Sequence, residues 1–309
     1  MSELMAEILM PTYNGARFVR EQIDSLLSQT DGRWHLTVSD DGSTDGTPDI
    51  LDEYASRYPE KVRRIVSGQR FGNARDHFYW LMRQCDADYL MTCDQDDVWQ
   101  PDKVRLTLEA LLAAEKECGR ETPVLVFTDS APVDERLNPI SPSLMAMQRQ
   151  NPKLTDYRNL LFQNIVTGGT MGLNRALKAL ATDCGELDRT IMHDWWVALV
   201  AARFGKRIYV DQATTLYRQH GDNSVGAQDV RSLRYMIRKV THLAAFQKTV
   251  VDKKRQAEVF AKTFPERLSE EEKRVLRDFC APRSPLMAKC RYLKWIYTMP
   301  RKLGFMARW

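Results

Sequence analysis

The feature that most constrains the fold is a regular alternation of two hydrophobic patterns along the first 130 residues. Short apolar runs typical of strands alternate with stretches whose apolar residues recur every three or four positions, as on one face of a helix. This alternation predicts an α/β fold with a mostly parallel sheet and helices on both of its faces. The predicted strands are 7–14, 34–41, 62–68, 88–97 and 123–130, and the predicted helices are 16–29, 47–59, 73–85 and 101–119.

The second half of the chain is less regular. A pair of glycines, Gly168 and Gly169, precedes a further predicted strand. Residues 193–205 have the apolar composition of a buried helix, and residues 206–221 read as a strand that runs into a loop. The sequence therefore extends the α/β pattern well beyond the first 130 residues.

A difference in charge separates two parts of the chain. The net charge is +4, yet residues 228–309 hold 20 Lys and Arg against 8 Asp and Glu, whereas residues 1–227 hold 25 against 33. The C-terminal part also has the pattern of basic amphipathic helices. We therefore predict an α/β domain at residues 1–227 and a basic helical region at residues 228–309. The excess of positive charge in residues 228–309 indicates that this region has a binding partner.

Aromatic and basic residues are mixed near the C-terminus in a way that suits an anionic membrane surface. The alternative is a solvated helical face that packs on the first domain. On the first interpretation we expect a cytoplasmic protein that is peripheral on the inner face of the cytoplasmic membrane. The residues concerned are Trp295, Ile296, Tyr297 and Trp309, mixed with Lys289, Arg291, Lys294, Arg301 and Lys302.

The overall composition is that of an ordinary globular protein, with 43% hydrophobic and 28% charged residues. The six cysteines are scattered and form no C-x-x-C pair, which argues against a zinc site and a disulfide framework. The first 14 residues contain neither a basic segment nor a long apolar one, so no signal peptide is expected. The longest apolar run, residues 195–202, is far shorter than the ~18 residues that a membrane-spanning helix needs.

Three polar clusters follow three of the predicted strands. They are residues 11–14, 39–47 and 93–102. Ligands of parallel sheets bind at the carboxyl ends of the strands, where these clusters fall. Unrelated surface turns have no reason to converge on one edge, so the shared location favours a binding site.

The third cluster places Asp94, Asp96 and Asp97 within four positions. Carboxylate oxygens are ligands that Mg²⁺ or Mn²⁺ prefers, and Mg²⁺ is usually held by one or two carboxylates together with substrate phosphates. A metal site that takes a diphosphate is therefore one interpretation. The alternative is an acidic turn in which Asp97 caps the following helix.

The first two clusters also allow two interpretations each. Residues 39–47 can form a tight turn with a helix cap, or can present a carboxylate to the imide N–H of uracil or thymine. Residues 41–52 partly match a calcium-binding EF-hand loop, but a strand precedes them where a helix is required. Tyr13 is either a packed aromatic residue or a stacking partner for a base.

Two further residues are candidates for chemistry. Asp194 lies in the first turn of a predicted helix, where the helix dipole favours the ionised carboxylate that a general base needs. Its alternative role is that of an N-cap. His220 lies in a predicted loop and is either a ligand or an ordinary surface or core histidine.

Together and in this order, these segments resemble the family-2 glycosyltransferases, which are inverting enzymes of the GT-A fold. The resemblance covers about residues 6–227, and its details are most similar to a bacterial branch that assembles O-antigen and exopolysaccharide, in which many members are rhamnosyltransferases. The matching segments are PTYNG (11–15), SDDGSTDGT (39–47), SGQRFGN (67–73), CDQDDVWQPDK (93–103), TGGTMGLNR (167–175), MHDWW (192–196) and YRQHG (217–221).

The resemblance implies a role for each candidate residue. On the donor side it implies a nucleobase contact for Asp41, with Thr12 and Tyr13 lining the same pocket. It implies that Asp94 and Asp96 are the D-x-D pair of the family, with Asp96 the direct ligand of Mn²⁺ or Mg²⁺. The remaining implied roles are a metal or diphosphate contact for His220, the catalytic base for Asp194, and the acceptor side for Gly168, Gly169 and Trp195.

Two features depart from other branches of that family. The Q-x-x-R-W signature of processive synthases is missing, because Gln228 and Arg231 are followed by Ser232. No predicted transmembrane helix follows either, so transfer of one sugar at a time is favoured over polymerisation. His193 stands where many relatives have Glu or Asp, which leaves the role of that position open.

The resemblance thus predicts metal-dependent, inverting transfer of a single sugar from a nucleoside-diphosphate sugar, such as dTDP-rhamnose, to a glycan or lipid-linked acceptor. No nucleic-acid partner is expected. One alternative is a sugar-phosphate nucleotidylyltransferase, although the Gly-rich basic loop of such enzymes is poorly matched by residues 8–20. The other is a non-catalytic sugar- or calcium-binding module, which leaves the convergence of clusters and Asp194 unexplained.

Overall fold

A computed structural model describes residues 5–221 and 243–281 of the chain. The strands are β1 (Ala6–Thr12), β2 (Trp34–Asp40), β3 (Val62–Arg64), β4 (Tyr89–Thr92), β5 (Val98–Trp99), β6 (Val124–Val133), β7 (Met171–Asn174) and β8 (Lys206–Arg218). The helices are α1 (Val19–Leu27), α2 (Thr47–Arg57), α3 (Ala74–Gln84), α4 (Lys103–Cys118), α5 (Leu144–Met147), α6 (Tyr157–Leu160), α7 (Arg175–Thr182), α8 (His193–Phe204), α9 (Leu243–Thr263) and α10 (Glu270–Cys280).

The strands of the described residues form one sheet in the order β3-β2-β1-β4-β7-β6-β8-β5. The four strands from β3 to β4 are parallel to one another, and β6 is parallel to β8. The short strand β7 lies antiparallel between β4 and β6, and β5 is antiparallel to β8. The predicted α/β class is confirmed, and the sheet is parallel where the sequence alternates regularly and mixed elsewhere.

The helices pack through the apolar residues that the sequence pattern identifies. In α1 these are Val19, Ile23 and Leu26, which are fully buried in one core with residues of β1 and β2. Helix α8 is buried along residues 196–201, as its nearly uniform apolar sequence predicts. It ends at Gly205, where a Cβ atom would lie 1.9 Å from the carbonyl oxygen of Pro123, so only glycine fits.

Strand β5 is an element that the hydrophobic pattern does not reveal, because it has two residues and lies inside the third polar cluster. It pairs with β8, and the backbone N–H of Trp99 donates to the hydroxyl of Ser25 at 3.0 Å. These contacts attach the acidic loop to β8 on one side and to α1 on the other.

The C-terminal residues that are described form the predicted helices, α9 and α10. Helix α10 begins with a capping box, in which Ser269 and Glu272 exchange hydrogen bonds with each other's backbone. The chain divides into compact units at residues 1–259 and 260–309. The predicted boundary after residue 227 lies outside the described residues, as do Trp295 and the other residues of the proposed membrane surface.

Within residues 5–221 and 243–281, the helices are too short or too polar to cross a bilayer.

Candidate active site

The acidic loop after β4 places two of its carboxylates in largely buried positions. Burial, reinforced by the charge of Asp96, raises the pKa of Asp94 to about 7 and raises that of Asp97 well above its ordinary value. Asp97 is 1% exposed and accepts the backbone N–H of Arg218 at 3.0 Å. The alternative that Asp97 caps α4 is therefore wrong, because Asp102 holds the N-cap position and the Asp97 carboxylate is bonded to β8 instead.

A buried lysine beside this loop was not singled out from the sequence. Lys103 is 1% exposed, its Nζ donates to Thr214 Oγ1 at 3.2 Å, and it lies 4.6 Å from the ring centre of Trp99. Burial lowers the pKa of Lys103 to about 8, while Asp97 and Asp94 act against that shift. The positive charge thus lies close enough to offset part of the repulsion among the carboxylates.

His220 meets Asp96 across 124 positions of sequence. His220 Nε2 and Asp96 Oδ2 are 2.8 Å apart, and the imidazole lies 4.9 Å from the ring of Phe18. A nitrogen and a carboxylate oxygen in this arrangement fit part of the shell of Mn²⁺ or Mg²⁺. The described residues contain no group of three or more His, Cys, Asp or Glu placed to hold a metal, so substrate oxygens would have to complete such a shell.

Arg218, at the end of β8, is a second residue that the sequence reading missed. It is 1% exposed, and its Nε donates to the backbone oxygen of Asp96 at 2.8 Å. Its Nη1 donates to the backbone oxygen of Glu135 at 2.6 Å, and its Nη2 pairs with Glu21. One buried guanidinium therefore holds the acidic loop, α1 and the segment after β6 in place beside His220.

The first polar cluster presents an exposed aromatic ring. Tyr13 is 44% exposed and Thr12 is buried, with Thr12 Oγ1 donating to Asp40 Oδ1 at 2.9 Å. Arg70 Nη2 donates to the Tyr13 hydroxyl at 2.8 Å, and the guanidinium carbon is 5.1 Å from the centre of the Tyr13 ring. Arg70 belongs to segment 67–73 and is a further residue that the sequence reading missed.

Asp41 connects the second cluster to that same segment. It is 4% exposed and accepts the backbone N–H groups of Phe71 and Gly72, the latter at 2.8 Å. The two carboxylate oxygens can accept more than two hydrogen bonds. Asp41 can therefore accept a further hydrogen bond in addition to those from Phe71 and Gly72. Thr12, Tyr13, Asp41 and Arg70 therefore border one region at the carboxyl ends of β1 and β2.

The glycine pair lies between the acidic loop and Asp194. A Cβ atom on Gly169 would be 2.8 Å from Asp94 Oδ2, and one on Gly168 would be 3.9 Å from the Cβ of Asp194. The backbone of Gly169 hydrogen bonds to Asp94, and that of Gly168 hydrogen bonds to Asp194. The structure thus places Asp94 beside Gly169 and Asp194 beside Gly168, two adjacent residues that carry no side chain.

Asp194 is partly buried at the start of α8. Burial raises the pKa of Asp194 to about 7, against the hydrogen bonds from Trp195 N, at 2.6 Å, and from the Asn164 side chain. Met192 occupies the N-cap position, so the alternative in which Asp194 is the cap is wrong. The indole of Trp195 is held by a hydrogen bond from Nε1 to the backbone oxygen of Leu160.

His193 is buried beside the glycine pair, where a Cβ atom on Gly168 would lie 3.1 Å from its Nε2. It is 2% exposed and stacks on Phe78 with ring centres 3.9 Å apart. Neither ring nitrogen has a hydrogen-bond partner among the described residues, and burial lowers the pKa of His193 to about 3. A pKa so far below neutral pH makes the imidazole a weak base, and its burial in the core also argues against a role as general base.

This burial predicts a dependence of stability on pH. Unfolded His193 takes up a proton below its ordinary pKa of 6.5, whereas the folded protein resists until about 3, so stability is full above 6.5 and falls as the pH drops towards 3. His193→Phe should reduce the slope of unfolding free energy against pH by about 1.4 kcal/mol per pH unit between pH 6 and 4. Urea unfolding at several pH values measures this slope for the wild type and for His193→Phe. Equal slopes in His193→Phe and wild type would show that His193 titrates normally.

In a comparison with models of known protein families, residues 7–177 match the model of "Glycosyl transferase family 2". That range is more than half of the chain and includes the three polar clusters and the glycine pair. The chain belongs to glycosyl transferase family 2. This membership confirms the family resemblance of the sequence and makes the protein a glycosyltransferase, which excludes the nucleotidylyltransferase and binding-module alternatives.

Two curated proteins illustrate what the chain is similar to. The chain is 28% identical over 227 residues to the dTDP-rhamnosyl transferase RfbG of Shigella flexneri. The alignment covers 71% of this chain and 74% of RfbG. It is 29% identical over 133 residues to the putative teichuronic acid biosynthesis glycosyltransferase TuaG of Bacillus subtilis (strain 168). That second match covers 42% of this chain and about half, 51%, of the relative.

Solved structures confirm the fold of this glycosyltransferase. Residues 1–349 of S. aureus TarS superpose with a TM-score of 0.57 at 17% identity, covering 99% of this chain and 75% of that one. The same protein in complex with UDP gives a TM-score of 0.56 at 18% identity. That superposition covers 89% of this chain and 70% of the TarS chain. The predicted GT-A fold with additional C-terminal helices is confirmed.

Proposed function

We propose that this glycosyltransferase moves one sugar from a nucleoside-diphosphate sugar to a hydroxyl group of a glycan or lipid-linked acceptor, with inversion at the anomeric carbon. The observation that carries the proposal is the placement of Gly168 and Gly169 between Asp94 and Asp194. This arrangement puts a carboxylate for the diphosphate side and a carboxylate for the base beside one short segment that carries no side chains.

The donor is proposed to be a deoxythymidine or uridine diphosphate sugar, with dTDP-rhamnose the first to test. RfbG is described as a dTDP-rhamnosyl transferase, and TarS has been crystallised with UDP and UDP-GlcNAc. In this chain, Tyr13 and Arg70 offer a ring and a guanidinium to a base, and Asp41 offers an acceptor to its imide N–H. The proposal thus adds Arg70 to Thr12, Tyr13 and Asp41 as a residue that contacts the nucleobase of the donor.

Asp96 and His220 are the residues that would hold a divalent cation, Mn²⁺ or Mg²⁺. Their facing atoms, Oδ2 and Nε2, are 2.8 Å apart at the edge where the donor diphosphate is proposed to lie. When bound, such an ion supplies Lewis-acid stabilisation of the diphosphate leaving group. Arg218 donates a hydrogen bond to the backbone oxygen of Asp96, and the charge of Lys103 offsets part of the charge of Asp94 and Asp97.

Asp194 is proposed to accept the proton of the acceptor hydroxyl. As that oxygen forms its bond to the anomeric carbon, the bond from carbon to the diphosphate oxygen breaks and the electron pair leaves with the nucleoside diphosphate. A single displacement inverts the configuration and needs no covalent intermediate. A pKa of about 7 suits Asp194 for this role, because a general base works best when its pKa lies near the operating pH.

The relatives point to bacterial surface polysaccharide as the setting. TuaG is described as a putative teichuronic acid biosynthesis glycosyltransferase, and we propose the related class of cell-surface glycan for this protein.

The basic region 228–309 is proposed to contact an anionic membrane surface from the cytoplasmic side, with each basic residue contributing about 1 kcal/mol near that surface. Sedimentation with anionic liposomes at low salt should carry the full-length protein down, and its absence from the pellet would rule the contact out.

A panel of nucleotide sugars tests the proposed function. Thermal denaturation in the presence of Mn²⁺ should show stabilisation by the donor and by its nucleoside diphosphate, because a ligand of the native state raises its stability. The same donor should be hydrolysed slowly when no acceptor is added. If none of the nucleotide sugars stabilises the protein or is hydrolysed, the proposed donor class is wrong.

Gly169→Ala is expected to disturb the donor side of this site. The added methyl group would meet Asp94 Oδ2 at 2.8 Å, so the carboxylate has to move out of place. Because a displacement of about 1 Å can cost on the order of 100-fold in rate, we expect transfer to fall by about that factor. Gly185→Ala is the matched control, since a Cβ atom there meets nothing within 4 Å. Equal activity of Gly169→Ala and Gly185→Ala would contradict the proposed contact.

A further inference from the structure

The residue between Asp94 and Asp96 connects the acidic loop to the loop after β1. Gln95 Oε1 accepts the backbone N–H of Tyr13 at 2.9 Å, and Gln95 Nε2 donates to the backbone oxygen of Tyr13 at 3.0 Å. An ionised carboxylate can only accept and an ammonium group can only donate, whereas an amide does both. Gln95 thereby fastens the backbone of a residue proposed to contact the nucleobase to the loop proposed to hold the cation.

The position of this link follows from the sheet. Strands β1 and β4 are adjacent and parallel, and their last paired residues are Leu9 and Thr92. One further hydrogen bond runs from the backbone N–H of Cys93 to the backbone oxygen of Leu9 at 3.0 Å. Two residues later, the side chain of Gln95 bonds to both backbone groups of Tyr13, as a neighbouring strand would do. The connection between the two strand ends therefore continues into the site.

Gly15 leaves the space that the amide of Gln95 occupies. A Cβ atom on Gly15 would lie 2.5 Å from Cδ of Gln95, which is too close for the two groups to coexist. Gly15 is not among the described glycines with a positive φ, so its backbone conformation suits other residues as well. Gly15→Ala should therefore displace the end of the Gln95 side chain without straining the backbone.

The loop after β1 is also held on its other side, by the second polar cluster. The backbone N–H of Asn14 donates to Ser43 Oγ at 2.8 Å, and Asn14 Oδ1 accepts the backbone N–H of Thr44 at 2.9 Å. Asn14 has a φ of 46°, a left-handed conformation that asparagine tolerates better than most residues. Tyr13 thus belongs to a segment that is bonded to both neighbouring clusters, so a shift of the acidic loop moves the segment that carries its ring.

The charge of the acidic loop makes such a link consequential. The charge of Asp96 acts against the ionised forms of both Asp94 and Asp97, and a bound cation would relieve this repulsion. The position of the loop therefore depends on what is bound there. A donor molecule has a fixed length between its base and its diphosphate, so the protein has to place both of its contact regions together.

From these contacts we infer that Gln95 is a positioning residue that couples the two ends of the donor site. Cation and diphosphate at the acidic loop strengthen the binding of the nucleobase beside Tyr13, and the nucleobase strengthens the binding of cation and diphosphate to the same extent, because coupling between two ligands is reciprocal. This coupling rests on the proposed function and adds to it a residue that touches neither the base nor the cation.

Calorimetric titration with two separate parts of a donor tests the coupling. Thymidine is titrated into full-length protein alone, and again with Mn²⁺ and saturating inorganic pyrophosphate, which stands in for the diphosphate. We expect the wild type to bind thymidine about tenfold more tightly in the second condition, as two hydrogen bonds of ordinary strength allow. Pyrophosphate with Mn²⁺, titrated with and without thymidine, should show the same factor.

Gln95→Met should reduce this factor to about one, because methionine has a similar length but cannot bond to both backbone groups of Tyr13. Gly15→Ala should have the same effect while leaving Gln95 in the sequence. Two controls should keep the wild-type factor. They are Gln84→Met, at an exposed position at the end of α3, and Gly185→Ala, where a Cβ atom meets nothing within 4 Å.

The ratio of affinities separates coupling from a merely structural role. A structural role for Gln95 would lower the thermal stability, or weaken both ligands, and would leave the factor unchanged. The coupling is contradicted if the wild type shows no factor, if the factor survives in Gln95→Met, or if Gln84→Met loses it equally.

A failure of the proposed donor gives a different pattern. If neither thymidine nor uridine binds to the wild type, the proposed donor class is wrong. The nucleoside identified by the panel of nucleotide sugars then replaces thymidine, and the comparison of wild type with Gln95→Met decides the coupling as before. If no nucleoside binds in either condition, the proposed donor and the coupling are both wrong.

Discussion

Asp194→Asn is expected to lower the rate of sugar transfer by about 10²–10⁴-fold, the usual contribution of general base catalysis. The amide has the shape of the carboxylate and its oxygen can still accept the N–H of Trp195, so the start of α8 should persist. Binding of nucleoside diphosphate should change little, because Asp194 accepts hydrogen bonds from Trp195 N and Asn164 and is not among the residues proposed to hold the diphosphate. Single-turnover transfer and calorimetry on the same protein measure the two effects.

The pH dependence provides a second readout for Asp194. A general base must be ionised, so transfer by wild type should fall about tenfold for each pH unit below the pKa of about 7. The residual activity of Asp194→Asn should lack this dependence. Asp188→Asn, at an exposed position, is the control for the substitution itself and should behave as wild type. Transfer by Asp194→Asn near the wild-type rate, or loss of its nucleotide binding, would show that Asp194 is structural.

Asp96→Asn is expected to abolish the cation-dependent part of nucleoside-diphosphate binding. The substitution removes one of the two facing ligand atoms, leaves His220 without its carboxylate partner, and takes a negative charge from the proposed coordination shell. Titration of nucleoside diphosphate with and without Mn²⁺ measures the effect, which does not depend on turnover. The wild type should bind far more tightly with Mn²⁺, and the variant should bind equally in both conditions.

Two controls make the metal experiment specific. Asp86→Asn removes a carboxylate from an exposed position in the turn before β4 and should retain the full effect of Mn²⁺. His220→Ala should weaken the effect, because it removes the second facing atom while leaving the Asp96 carboxylate in place. If Asp96→Asn binds nucleoside diphosphate as tightly as wild type in Mn²⁺, the metal assignment of Asp96 is wrong.

The sequence by itself determined the local elements and the edge at which the site lies. Hydrophobic periodicity depends on neighbours within a few residues, so strands such as β1 and helices such as α1 can be read from a short window. The polar clusters after β1, β2 and β4 then fall at one edge, because parallel strands share the direction of their carboxyl ends. Family membership was also visible, since it depends on the order of short motifs along the chain.

Only the tertiary structure decided which side chains meet. His220 reaches Asp96 across 124 residues, and the glycine pair, just before the antiparallel strand β7 between β4 and β6, contacts both Asp94 and Asp194. The burial of Lys103 and Arg218, and the packing of His193 in the core, depend on the same long-range contacts. No local pattern encodes them, because a charged residue in a short window looks solvent-exposed until distant segments of the chain enclose it.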